Sequence, residues 1–149
     1  MNSNSNIFLK KKILIYGLGK SGLATYDFLK KKNKVFLYDD YKKNLKNFIS
    51  FKKVKKIKFD YIIISPGINI KNCKLSKFLK TNSNKIFTDL DVFFSFFNND
   101  CITVTGTNGK STTCQLLYEI LSKQKYDVKL VGNIGNPILS LTNIKPKTI

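Results

Sequence analysis

Two glycine loops, each set between a short apolar run and a helical stretch, constrain this chain more than any other feature. They are Gly17-Leu18-Gly19-Lys20-Ser21-Gly22 and Gly106-Thr107-Asn108-Gly109-Lys110-Ser111. A glycine turn between strand and helix lets backbone N–H groups close on an anion at the helix N-terminus. Two such turns predict an α/β chain that takes two phosphorylated ligands.

The second loop carries the more specific chemistry. Ile102–Thr105 is β-branched and reads as a buried strand, and the amphipathic segment from Lys110 to about Lys123 reads as the helix that follows. Lys110 would reach the β- and γ-phosphates of a nucleotide, and the Ser111 hydroxyl would ligate Mg²⁺. Five residues before Gly109 stands Val104 rather than glycine, so the spacing departs from the general phosphate-loop pattern.

The first loop is a complete G-x-G-x-x-G after the apolar run Ile13–Tyr16, with Asp39 and Asp40 at the end of the next run. Alone it spells a dinucleotide fold, and an NAD-dependent oxidoreductase is the alternative reading. A dehydrogenase gains nothing from a second phosphate loop with a lysine and a Mg²⁺-type serine. A noncatalytic nucleotide-binding module is the third reading.

Between residues 12 and 88 short apolar runs alternate with helical stretches, which predicts a parallel sheet with crossover helices. The strands are expected near Ile13–Tyr16, Lys34–Tyr38, Tyr61–Ser65 and Lys85–Phe87, and the helices over Ser21–Lys31, Lys42–Ser50 and Cys73–Lys80. The residues before Lys10 are polar and expected to fray. Asp89–Phe97 is rich in aromatics, and Phe93, Phe94, Phe96 and Phe97 are expected to pack a connecting element. Asn98-Asn99-Asp100 is a turn signal, so the domains are placed at residues 1–97 and 98–149, the second holding a further strand at Val128–Val131.

The formal net charge is +18, but all 27 basic residues are lysines, there is a single alanine, and asparagine and isoleucine abound. Without arginine for bidentate contacts the excess reads as compositional, and nucleic acid is not expected as a partner. Cys73, Cys101 and Cys114 form no metal or disulfide pattern and are expected as small buried thiols in a cytoplasmic protein. No apolar run is long enough for membrane insertion.

The compact Thr105-Gly106-Thr107-Asn108-Gly109-Lys110-Ser111-Thr112 resembles the ATP loop of the Mur ligases, the ATP-dependent amide-forming enzymes of peptidoglycan synthesis. The resemblance runs from about Lys12 onward through Gly17–Ala24, Ser65-Pro66-Gly67-Ile68, Thr88-Asp89-Leu90-Asp91 and Gly132-Asn133-Ile134-Gly135. It implies a Rossmann-like parallel-sheet N-terminal domain followed by the start of a P-loop ATPase-like central domain. Gly19, Lys20 and Ser21 would meet a UDP diphosphate, and Asp39, Asp40 and Gly67 would line the uracil. Asn133 would touch the sugar-phosphate end, while Gly106, Thr107, Asn108, Gly109, Lys110, Ser111 and Thr112 would bind ATP, with Lys110 catalytic.

Within that family the order of motifs implies UDP-N-acetylmuramoyl-L-alanine and D-glutamate as substrates, with ATP and Mg²⁺. Another member of the family is the alternative. Lys20 stands where relatives often carry an apolar residue, Asp40 where a small polar one is common, and Asp91 where glutamate is common. The sole glutamate, Glu119, reads as a solvated helix position, and there is no histidine. The expectation is therefore a ligase fragment, inactive by itself, with two stability classes and exposed edges in its second half.

Overall fold

The computed structural model of the chain describes residues 6–42, 45–132, 135–141 and 144–149. Four strands, β1 (Lys12–Tyr16), β2 (Lys34–Tyr38), β3 (Tyr61–Ile64) and β4 (Ile86–Phe87), form one sheet in the order β2-β1-β3-β4. Every pairing is parallel, with Ile13 opposite Val35 on one side and Tyr61 on the other. Helices α1 (Lys20–Leu29), α2 (Phe51–Lys56) and α3 (Ser76–Thr81) lie between the strands; α4 (Asp89–Phe96) and α5 (Lys110–Lys123) follow.

Successive side chains of a strand point to opposite faces, and here both faces are covered. Ile13, Ile15, Val35, Leu37 and Ile63 pack with Leu29, Val92 and Phe93 on one side. Leu14, Tyr16, Tyr38, Ile62 and Ile64 pack with Val54, Leu75 and Leu79 on the other. This double burial makes the strands legible as continuous apolar runs, and burying each such side chain stabilises by about 1.5–3 kcal/mol. The fold is α/β with a Rossmann-like parallel sheet, as expected.

Several expectations are corrected. The helix expected over 42–50 does not form in its described residues 45–50: Leu37 N–H donates to the Asn47 carbonyl at 3.0 Å and Ile49 N–H to the Leu37 carbonyl at 2.9 Å. The backbone of β2 thus captures residues 47–49, and the helix forms later, as α2. The residues described before Lys10 are not frayed. Asn6 Nδ2 donates to the Ser95 carbonyl at 2.5 Å, and Phe8, 1% exposed, packs its ring 5.1 Å from Tyr61 and 5.3 Å from Phe87.

Ile102–Thr105 is no buried strand. Its residues are exposed apart from half-buried Val104, and none of its backbone groups pairs with another segment among the described residues. A strand needs a neighbour to take its N–H and C=O groups, and none lies beside it. Val128–Val131 forms no strand either: Lys129 N–H donates to the Ile149 carbonyl at 2.8 Å and Val131 makes one isolated bridge with Asn136. Without a sheet around it Cys101 is exposed, and Cys73 and Cys114 are half-buried, so none of the thiols is buried as expected.

The aromatic segment forms α4, opened by a capping box in which Thr88 Oγ1 accepts from Asp91 N–H and Asp91 Oδ2 accepts from Thr88 N–H. Phe93 is buried, Phe96 lies edge-on to Phe28 at 5.1 Å, and Phe97 lies 4.9 Å from Phe93. Phe94 is 51% exposed, with its ring edge-on to Phe93 at 5.5 Å. Ile138 and Leu139, in a single 3₁₀ turn (Ile138–Ser140), are buried in the same cluster as β1, α1 and α4.

Candidate functional site

The carboxyl ends of β1, β2 and β3 open into a cleft of about 410 Å³. It lies where a parallel sheet changes direction from its central strand, the position at which such sheets take ligands. Three loops and one distant segment line it: Gly17–Ser21 after β1, Asp39–Tyr41 after β2, Ser65–Ile68 after β3, and Gly132, Gly135 and Pro137. Gly19, Lys20, Ser21, Asp39, Asp40 and Gly67, separated in sequence, therefore share one site. Asn133 falls outside the described residues, and its neighbours Gly132 and Gly135 line the cleft.

The glycine turn is packed against the sheet so closely that only glycine fits at one point. A Cβ on Gly22 would stand 1.9 Å from the Gly17 carbonyl oxygen. Ser65 Oγ donates to that same carbonyl at 2.7 Å. Helix α1 has no side-chain cap and no acidic residue in its first turn. Its leading N–H groups, at Lys20 and Ser21, are those a helix leaves unpaired, and they face a cleft suited to an anion.

Asp39 and Asp40 are placed differently. Asp39 Oδ2 accepts from Leu18 N–H at 2.7 Å, and its Oδ1 accepts from Tyr41 N–H at 2.8 Å and Lys42 N–H at 3.0 Å. Burial alone would raise its pKa; the three N–H groups outweigh it and hold the carboxyl below its ordinary value. Asp40 Oδ2 accepts from the Tyr16 hydroxyl at 2.8 Å. Among the described residues, Asp40 Oδ1 is the buried side-chain oxygen left without a partner.

An acceptor of this kind costs free energy unless a donor arrives, and Asp40 lines the cleft. The phenols beneath it stay protonated. Burial, then the Cys73 thiol and Asp40, push Tyr16 well above its ordinary value, and burial followed by Asp40 pushes Tyr38 up to about 12.

The second loop stands apart, and none of its residues lines the cleft. Gly109 holds φ +77° at the N-cap of α5, the left-handed region that glycine favours. The Lys110 ammonium folds back onto the loop, donating to the Gly106 carbonyl and to the Thr107 carbonyl at 3.1 Å. Thr113 N–H is the first to find an acceptor, on Gly109, so Lys110, Ser111 and Thr112 present unpaired N–H groups. These groups fit the phosphate chain of a nucleoside triphosphate. Among the described residues no three carboxylate, cysteine or histidine side chains gather to hold a metal ion.

Sequence reasoning missed Ser65, Lys42 and Asn6 as anchoring residues, because their bonds join segments far apart in the chain. The Thr88–Asp91 cap was visible as Thr-x-x-Asp before an apolar run.

Comparison with known proteins bears on both loops. Residues 104–148 match the Mur ligase middle domain. The chain is 36% identical over 143 residues to a UDP-N-acetylmuramoylalanine–D-glutamate ligase of Rickettsia bellii, covering 89% of this chain and 32% of the relative. It is 38% identical over 149 residues to that of Rickettsia felis (93% and 32%), and 34% over 145 residues to that of Clostridioides difficile (87% and 32%). The chain spans about a third of the length of these relatives. Among the described residues no helix is long and apolar enough to cross a membrane.

Proposed function

With residues 104–148 in the Mur ligase middle-domain family and most of the chain homologous to D-glutamate-adding members, we propose that it is the nucleotide-binding part of a peptidoglycan ligase. Its first loop and cleft hold UDP-N-acetylmuramoyl-L-alanine, and its second loop holds ATP. The observation that carries this reading is the cleft itself, where a phosphate-binding turn faces an unpartnered buried Asp40 oxygen beside Gly67. An imide N–H of uracil is a donor of the kind that oxygen lacks.

The N–H groups of Gly19, Lys20 and Ser21, with the Lys20 ammonium, would neutralise the diphosphate. At the second loop Lys110 would leave the Gly106 and Thr107 carbonyls to stabilise charge on the γ-phosphate. Bound ATP with Mg²⁺ would supply the phosphoryl group that converts the substrate carboxylate into an acyl phosphate, releasing ADP. Attack by the amine of D-glutamate would then form the amide and release phosphate.

Asp39 weighs against the oxidoreductase alternative. In a dinucleotide site the acid after the second strand accepts ribose hydroxyls, whereas here three backbone N–H groups hold it. Calorimetric titration of the chain with UDP-N-acetylmuramoyl-L-alanine, NADH and ATP in turn tests the proposal. Binding of the uridine ligand and of ATP without NADH is expected. NADH binding with no response to the uridine ligand would overturn it.

A further inference from the structure

The two residues that lead into the cleft's anion-binding edge, Gly17 and Leu18, have every backbone N–H and carbonyl paired. Gly17 N–H donates to the Tyr38 carbonyl at 3.0 Å, and the Gly17 carbonyl accepts from Ser65 Oγ at 2.7 Å. Leu18 N–H donates to Asp39 Oδ2 at 2.7 Å, and the Leu18 carbonyl accepts from the Lys42 ammonium at 2.9 Å. The last bond comes from a residue outside both glycine loops, on the turn after β2. Lys42 does not line the cleft.

We propose that Lys42 is a positioning residue for the diphosphate-binding turn: by holding the Leu18 carbonyl it aims the Gly19 N–H into the cleft. The proposal rests on reading the cleft as a uridine diphosphate site.

The Leu18 carbonyl and the Gly19 N–H belong to one planar trans peptide, in which C=O and N–H point in opposite directions. A donor that fixes the oxygen on the far side therefore fixes where the hydrogen points. Gly19 lines the cleft, and its N–H has no protein acceptor among the described residues. A cation on the carbonyl also polarises the amide and strengthens its N–H as a donor. The turn that carries Lys42 is tied to the same carboxylate as Leu18, because Asp39 Oδ1 accepts from Lys42 N–H at 3.0 Å. Lysine and loop are thus held in register through one side chain.

Calorimetry on the full chain and its Lys42→Met and Lys42→Arg variants, with UDP and with uridine, tests this. Methionine keeps the apolar stem and removes the donor, while arginine restores one. Lys42→Met is expected to weaken UDP about three- to tenfold, the worth of one hydrogen bond. Uridine affinity should stay within about twofold. The loss should persist at about 0.5 M salt, where long-range attraction between an exposed lysine and a diphosphate is screened, and Lys42→Arg should recover most of it.

Equal losses for UDP and uridine, or a UDP loss that disappears in salt, would overturn the proposal. If the unaltered chain binds neither ligand, the reading of the site fails instead, and the Gly19 amide resonance of the ligand-free chain decides whether the clamp exists. Lys42→Met should move and broaden that resonance while leaving those of β1 in place; an unchanged Gly19 resonance would contradict the clamp.

Discussion

Asp39 and Asp40 are neighbours with opposite electrostatic tasks. Asp39 ties the first glycine loop to the turn after β2, and its carboxyl lies below its ordinary pKa because three N–H groups favour the charged form. A group whose folded pKa is depressed contributes stability above its unfolded value, and that contribution is lost as pH falls through the folded value. Urea titrations should therefore find Asp39→Asn less stable than the parent at neutral pH, with the gap closing below about pH 4. A gap independent of pH would mean that the carboxylate charge is irrelevant. Gly22→Ala is expected to cost at least about 1–3 kcal/mol in the same assay, since its methyl must displace backbone rather than a flexible side chain. At the second loop, on the proposed function, Lys110→Ala should slow ATP-dependent phosphate release by about 10²–10³-fold. Unchanged release would make the lysine structural.

At the scale of elements, β1, β2 and β3 could be read from the sequence to within a residue because burial on both faces turns each into an uninterrupted apolar run. The same logic failed at Ile102–Thr105 and Val128–Val131. β-branched composition describes a segment that can enter a sheet, and only a neighbouring strand makes it one. The stretch 42–50 failed for the opposite reason, since pairing with Leu37 overrode a helical pattern. Helix α5 was legible from its ends, yet none of its residues is buried, and Leu116 and Ile120 are 54% and 51% exposed. Its stability must come from its own hydrogen bonds, which for 14 residues are marginal in water. Amide exchange should therefore be fast across α5 and slow in β1, where Leu14 and Ile15 are fully buried. Exchange in α5 as slow as in β1 would show that its apolar side is covered.

For the whole molecule, six of the seven residues that the resemblance offered for the uridine ligand line one cleft, and the seventh, Asn133, lies outside the described residues. Strand ends at the same edge of a parallel sheet must converge, so glycine turns and acids at those ends were bound to meet. Illegible were the side chains that hold the site together, Lys42, Ser65 and Asn6, whose partners depend on how loops lie across one another. Equally hidden was the burial of Ile138 and Leu139 in the core of the sheet, beside which Gly132, Gly135 and Pro137 line the cleft. On the proposed function this cleft, at the meeting of those segments, is a uridine diphosphate site separate from the second loop. Amide chemical-shift mapping with UDP-N-acetylmuramoyl-L-alanine decides this. Perturbations centred on Gly19, Lys20, Ser21, Asp40 and Gly67, with residues 106–112 unmoved, are the expected result; shifts confined to residues 106–112, or none at all, would contradict it.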